Sequence, residues 1–180
     1  KQIKYLGSIK DLNKIIKKYN SKNLFGIIAI GDNLKRKKIL LKVKKFDKNF
    51  KWVNVIHPSV IISPSVTIGS GNMIFAGSII STETKVHNHV CINTGSFIDH
   101  NNTFHNFSST GPGVITGGKV TVGEQSFLGI GSVVKDKIFI GKNTVVGGKA
   151  FVRKNCKSNS VYYGVPAKRI KKRSFNEPYL

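Results

Sequence analysis

At 180 residues, with 39% hydrophobic side chains, the chain can bury one large domain or one domain with a small partner, and no apolar run in it reaches membrane-spanning length. Its 30 basic residues against 8 acidic ones give a formal charge of +22, which favours small anionic partners or else makes a solvated lysine-rich surface. Nucleic acid is disfavoured as a partner, because neither a known reading motif nor an aromatic stacking platform accompanies the lysines.

In chain order, Ser8 with Asp11 three residues later reads as a helix N-cap, followed by Leu12, Ile15, Ile16 and Tyr19 on one helical face. Leu24 to Ile30 is a short apolar run suited to a buried strand, and Gly31-Asp32-Asn33 breaks it. Residues 34–46 read as a second helix with Leu34, Leu41 and Phe46 inward and lysines outward. Helix, strand, helix, strand over residues 1–55 is the order of half a doubly wound, Rossmann-like α/β fold. The chain opens on Lys1 and its single methionine is Met73. The strand and glycine-rich turn that open a nucleotide-binding unit are missing, so this α/β domain is expected to be N-terminally truncated or degenerate.

From Ile56 onward the period changes. Stepping six residues at a time to Val152 meets Ile, Val, Leu or Phe at every position except Thr110 and Thr116. A period of six fits neither a helix nor a simple strand; it fits a hexapeptide-repeat parallel β-helix, in which each hexad sends one large side chain inward. Four residues after each large one comes a second, usually smaller position, as at Ser78, Thr84, Ser96, Ser108, Ser126, Ser132 and Ala150. The residue just after the large one is often glycine (Gly69, Gly111, Gly117, Gly123, Gly129, Gly141, Gly147), expected where the backbone needs positive φ. Three hexads per coil of about 18 residues put roughly six coils into residues 56–163, with no long loop projecting and a tail over 164–180. Cys91 and Cys156 lack metal-type spacing and read as buried thilols of a reducing compartment.

Among polar residues in the repeat, His100 stands out. It lies two positions after the inward Ile98, where a side chain faces outward, and Asp99 is beside it. An exposed imidazole next to a carboxylate can serve as a general base near neutral pH; taken alone it is equally an ordinary surface histidine.

The stretch from Ile92-Asn93-Thr94-Gly95-Ser96 through Ile98-Asp99-His100, the run Phe127-Leu128-Gly129-Ile130-Gly131-Ser132-Val133-Val134 and the closing Tyr163-Gly164-Val165-Pro166-Ala167-Lys168-Arg169 resemble the sugar acetyltransferases of the left-handed β-helix class. Ile28-Ala29-Ile30-Gly31-Asp32-Asn33 extends the resemblance into the first domain. The class includes sialic acid O-acetyltransferases and UDP-4-amino-sugar N-acetyltransferases of bacterial glycan pathways. The resemblance implies a left-handed coil, a homotrimer, a cytoplasmic enzyme and acetyl-coenzyme A as cosubstrate without a metal. It implies His100 as general base, with Asn93 helping to form the acceptor pocket and Asp99 beside the base. Asn101 stands where some members carry a carboxylate after the histidine, and Gly31 matches a position that approaches the sugar nucleotide in the first domain, so the two are the substrate-side candidates. Ser109, Gly118, Ile130 and Gly148 match positions that contact coenzyme A in a groove between adjacent β-helices, and Ser109 replaces a histidine found in some members. The backbone N–H of Gly118 is placed to stabilise an oxyanion.

The favoured reaction is N-acetylation of a UDP- or dTDP-linked 4-amino-4,6-dideoxy sugar, since a dianionic diphosphate suits a basic first domain. O-acetylation of sialic acid is the alternative. A zinc site like that of γ-class carbonic anhydrases would need His100 and His105 with a third ligand from His57, His87 or His89, and a non-catalytic scaffold would need none of these residues.

Overall fold

Ser8 accepts a hydrogen bond from the Lys10 N–H at 3.2 Å, while the Asp11 carboxylate accepts the Ser8 N–H and hydroxyl, each at 2.9 Å. This is the expected cap, and it starts a 3-10 turn (Ile9–Asp11) that leads into α1 (Leu12–Tyr19). The computed structural model describes residues 4–19, 24–175 and 177. Of the predicted strand, only β1 (Phe25–Gly26) forms, paired in parallel with β2 (Lys51–Trp52). Between them α2 (Asn33–Phe46) begins at Asp32, whose carboxylate accepts the Lys35 N–H at 2.7 Å. The helix, strand, helix, strand order is as expected.

The inward face of α2 is not. Leu41 and Phe46 are about half exposed, and the buried stripe is Asn33, Arg36, Leu40 and Val43. The spacing of three and four is helical, but its first two members are polar and find partners in the coil behind them. A pattern that counts only apolar residues therefore chooses the wrong side.

From Val55–Ile56 to Phe151–Val152 the chain forms 17 two-residue strands, one every six residues. Each strand up to Val133–Val134 pairs in parallel with the strand 18 residues on, as Phe97↔Ile115 and Ile98↔Thr116. Three faces result, of eight, six and five strands, which the hairpin of Ser160–Tyr163 and Lys168–Lys172 closes on the eight-stranded face. The six-residue series is the core: from Ile74 to Val152 every member is at most 2% exposed. Thr110 and Thr116 are equally buried. The Thr110 hydroxyl accepts the Asn93 N–H at 2.8 Å and bonds the Ser96 hydroxyl at 2.9 Å, whereas the Thr116 hydroxyl has no hydrogen-bond partner among the described residues.

The second position does more than save space. Ser78, Thr84 and Ser126 donate their hydroxyls to the carbonyls of Asn93, Asp99 and Gly141, fifteen residues on, at 2.6 to 3.0 Å. These bonds hold each corner to the one above it.

The glycines after the large residues have another cause than the one expected. Positive φ falls two residues later, and there mostly on other side chains: Glu83, His89, Asn101, Phe107, Lys119, Gln125, Lys137, Asn143 and Lys149. What Gly111, Gly117, Gly123 and Gly129 supply is room. A Cβ on any of them would lie 2.5 to 2.7 Å from a backbone nitrogen of the next coil.

The first domain packs on the eight-stranded face. Ile28 and Leu40 meet Phe107, and the His89 ring stacks on Phe107 with centroids 5.1 Å apart while its other neighbour, Trp52, meets it edge-on at 5.2 Å. Among the described residues no helix is long and apolar enough to cross a membrane. Burial, then the charges of Arg36 and Lys44, push the His89 pKa down to about 4. An unfolded histidine titrates near 6.5, so between that pH and about 4 the unfolded state binds the extra proton. Stability is full above pH 6.5 and falls by about 1.4 kcal/mol per pH unit below it. Urea unfolding between pH 7 and 4.5 should show that slope, and His89→Gln should flatten it.

Candidate active site

Two separate corners of the coil gather the residues that the sequence singles out. The first lies between the six- and five-stranded faces, where the chain turns after Phe97–Ile98. Ile98 is fully buried, so the exposed His100 projects from the corner as its spacing requires. The Asp99 carboxylate accepts the backbone N–H of His100 at 2.7 Å, and the ring instead meets Asn101, with Nδ1 2.8 Å from the amide oxygen. With that oxygen as acceptor, Nδ1 carries the hydrogen and Nε2 keeps its lone pair, the form a general base needs. The ring lies against Gly118, one coil up, where a Cβ would sit 2.4 Å from Nε2. Gly118 therefore makes the place in which the imidazole rests.

Inside this corner Asn102, fully buried, donates its amide to the Asp99 carbonyl at 2.6 Å and to the Gly117 carbonyl at 3.0 Å. It thereby fastens the turn that carries His100 to the turn that carries Gly118. The sequence marks it only as an asparagine at a position where small hydroxyl or apolar residues are the rule.

The second corner lies between the eight- and six-stranded faces and borders a cleft of about 340 Å³. Gly31, Asn93, Ser109, Ile130 and Gly148 line it together. Its floor is bare backbone at Gly111, Gly129 and Gly147, the first two for the steric reason given above and the third because Tyr163 packs on it at one end. Cys91 also reaches the cleft, and burial raises its thiol pKa, as burial pushes Cys156 up to about 12; both cysteines are free. The Ser109 hydroxyl donates to the Asn33 amide oxygen at 2.8 Å, which ties the cleft wall to the first domain.

Of the residues singled out in the sequence, five thus meet in the cleft, while His100, Asp99, Asn101 and Gly118 meet at the other corner. Gly118 does not share the cleft of Ser109, Ile130 and Gly148. His105 stands on a third corner with its ring stacked on His87 at 5.0 Å, and the chain does not bring it together with His100 around a metal. Burial, followed by the charges of His105 and Lys85, lowers the His87 pKa.

No protein-family model matches the chain. Among solved structures, PerB from Caulobacter crescentus in complex with CoA and GDP-perosamine is 34% identical, with a TM-score of 0.84 over 90% of this chain and 76% of its own. A histidine variant of that perosamine N-acetyltransferase, also with CoA and GDP-perosamine, is 32% identical, with a TM-score of 0.87 over 94% of this chain and 79% of its own. The chain belongs to the left-handed β-helix family of sugar N-acetyltransferases. The acetyltransferase domain of PglB from Neisseria gonorrhoeae, solved with acetyl coenzyme A, shares the fold at 24% identity and a TM-score of 0.82, over 88% of this chain and 76% of its own.

For a member of this family the Asn102 contact has a measurable consequence. Asn102→Val gives the corner the apolar residue that Val114 and Val120 place at the same repeat position. Loss of the two carbonyl partners should cost about 1–3 kcal/mol in chemical unfolding, and a loosened His100 should lower kcat by about tenfold. Unchanged turnover at reduced stability would separate the corner from catalysis.

Proposed function

We propose that the chain, as a cytoplasmic homotrimer, transfers the acetyl group of acetyl-CoA to the amine of a nucleoside-diphosphate-linked 4-amino-4,6-dideoxy sugar in glycan or polysaccharide biosynthesis. The observation that carries this reading is His100, with Nε2 left as an acceptor, on a corner one face away from the cleft. The amine nitrogen attacks the thioester carbonyl and forms the C–N bond while His100 takes the nitrogen's proton. The tetrahedral oxyanion then collapses, the C–S bond breaks, and the proton leaves with the CoA sulfur.

The face between the two corners supports an assembly of copies. Its outward residues are Ile61, Ile79, Phe97, Ile115, Val133 and Phe151, apolar on all six strands, and Ile61 is 62% exposed. The five-stranded face presents Thr67, Lys85, Thr103, Thr121 and Phe139 instead. An apolar face of this extent suits a partner surface. In a cyclic trimer, contact through it would set the His100 corner of one copy against the cleft of the next. The relatives above 30% identity hold CoA and GDP-perosamine, which supports an amine acceptor and adds GDP to the UDP and dTDP that the sequence suggested. The exposed Lys35 and Lys38 on α2, close in sequence to Gly31, suit a diphosphate.

Thiol release from acetyl-CoA should be followed against UDP-, dTDP- and GDP-linked 4-amino sugars and free sialic acid. Release with an amino-sugar nucleotide and none with sialic acid is expected. His100→Ala should lower kcat by about 10²-fold or more with unchanged thermal stability. Release with sialic acid alone, or a fully active His100→Ala, would contradict the proposal.

A further inference from the structure

Arg36 is completely buried, and burial of a guanidinium is unfavourable unless acceptors surround it. Here they do. Nη1 donates to the carbonyls of Ile30 and Gly31 at 2.7 and 2.9 Å, Nε to the His89 carbonyl at 3.0 Å, and Nη2 to the Asn33 amide oxygen at 2.7 Å. A leucine would pack beside Ile28 and Leu40 without that desolvation, so what the arginine adds is geometry. Its planar fork fixes the turn before α2 against a carbonyl of the coil.

Asn33, 1% exposed, carries the link onward. The same amide oxygen that takes the Arg36 hydrogen bond accepts the Ser109 hydroxyl at 2.8 Å, and its amide nitrogen donates to the Ser126 carbonyl at 3.1 Å. Gly31 and Ser109 both line the cleft. They belong to different domains, and the path between them runs from the Gly31 carbonyl through Arg36 and Asn33 to the Ser109 hydroxyl.

We propose that Asn33, oriented by Arg36, is a positioning residue that sets the sugar-nucleotide wall of the cleft at Gly31 against the acetyl-donor wall at Ser109. This rests on the acetyltransferase reading above. Neither side chain touches the reacting atoms; the pair fixes how far the amine stands from the thioester. Bond formation needs an approach near 3 Å, so a small slip of one wall against the other lowers turnover steeply.

The test compares the full chain with Asn33→Ala, Asn33→Asp and Ser109→Ala by steady-state kinetics in both substrates, with thermal unfolding alongside. Asn33→Ala should lower kcat/KM for the amino-sugar nucleotide by about 10- to 100-fold while KM for acetyl-CoA stays within about twofold. Asn33→Asp keeps an oxygen for both Arg36 and Ser109 but loses the donor to the Ser126 carbonyl, and should recover part of the loss. Ser109→Ala, which deletes the linking hydroxyl and leaves α2 intact, should likewise lower kcat/KM for the amino-sugar nucleotide even if Asn33→Ala does not fold. A parallel rise of both KM values without rescue by Asn33→Asp would assign the pair a purely structural role and overturn the inference, as would unchanged kinetics in Ser109→Ala. Wild-type turnover in the same assay keeps the two levels apart: an inactive wild type defeats the acetyltransferase reading, whereas an active wild type with equally active variants defeats only the positioning role.

Discussion

Each coil of this protein is hydrogen-bonded through its backbone to the coil 18 residues on, and that stacking decides where every functional group can stand. Two-residue strands leave no freedom along a face: one side chain points in, one points out, and the chain turns. His100 and Gly118 stand at corners, and the corners stack. The Lys119 N–H bonds the His100 carbonyl at 2.9 Å, and the Lys137 N–H bonds the Gly118 carbonyl at 2.8 Å. A corner side chain must therefore share its corner with the residue 18 positions later, and His100 fits because that residue is Gly118.

The same constraint made much of the fold readable from spacing. Strands from Val55–Ile56 to Phe151–Val152 fall where the six-residue series puts them, since each inward residue must fill the same axial space. The division of the site was also present as arithmetic. His100 and Gly118 are 18 apart, as are Ile130 and Gly148, but Gly118 and Ile130 are 12 apart and so fall on different corners. Motif matching hides this, because it collects residues by identity and not by their place in the coil.

Polar residues that work inside the structure were not readable in advance. Arg36, Asn33 and Asn102 are all buried by hydrogen bonds to carbonyls, and backbone carbonyls leave no trace in a hydrophobicity pattern. The glycines at 111, 117, 123 and 129 were visible as a class, but steric exclusion by the next coil and positive φ predict the same letter. Only the backbone tells them apart.

What joins these parts into one enzyme is the proposed assembly: one copy supplies His100, and the next supplies the cleft across the apolar six-stranded face. Subunit complementation tests this most directly. His100→Ala removes the base but leaves the cleft, and Gly148→Trp fills the cleft, where only the Ile130 side chain approaches a Cβ within about 3.0 Å, but leaves the base. Each variant alone should be inactive. Co-expressed in equal amounts and purified through a different tag on each, the mixed trimers should recover about a third of wild-type turnover, since one of the three interfaces in every mixed trimer combines an intact base with an intact cleft. No recovery in a confirmed mixed assembly would contradict a site shared between copies.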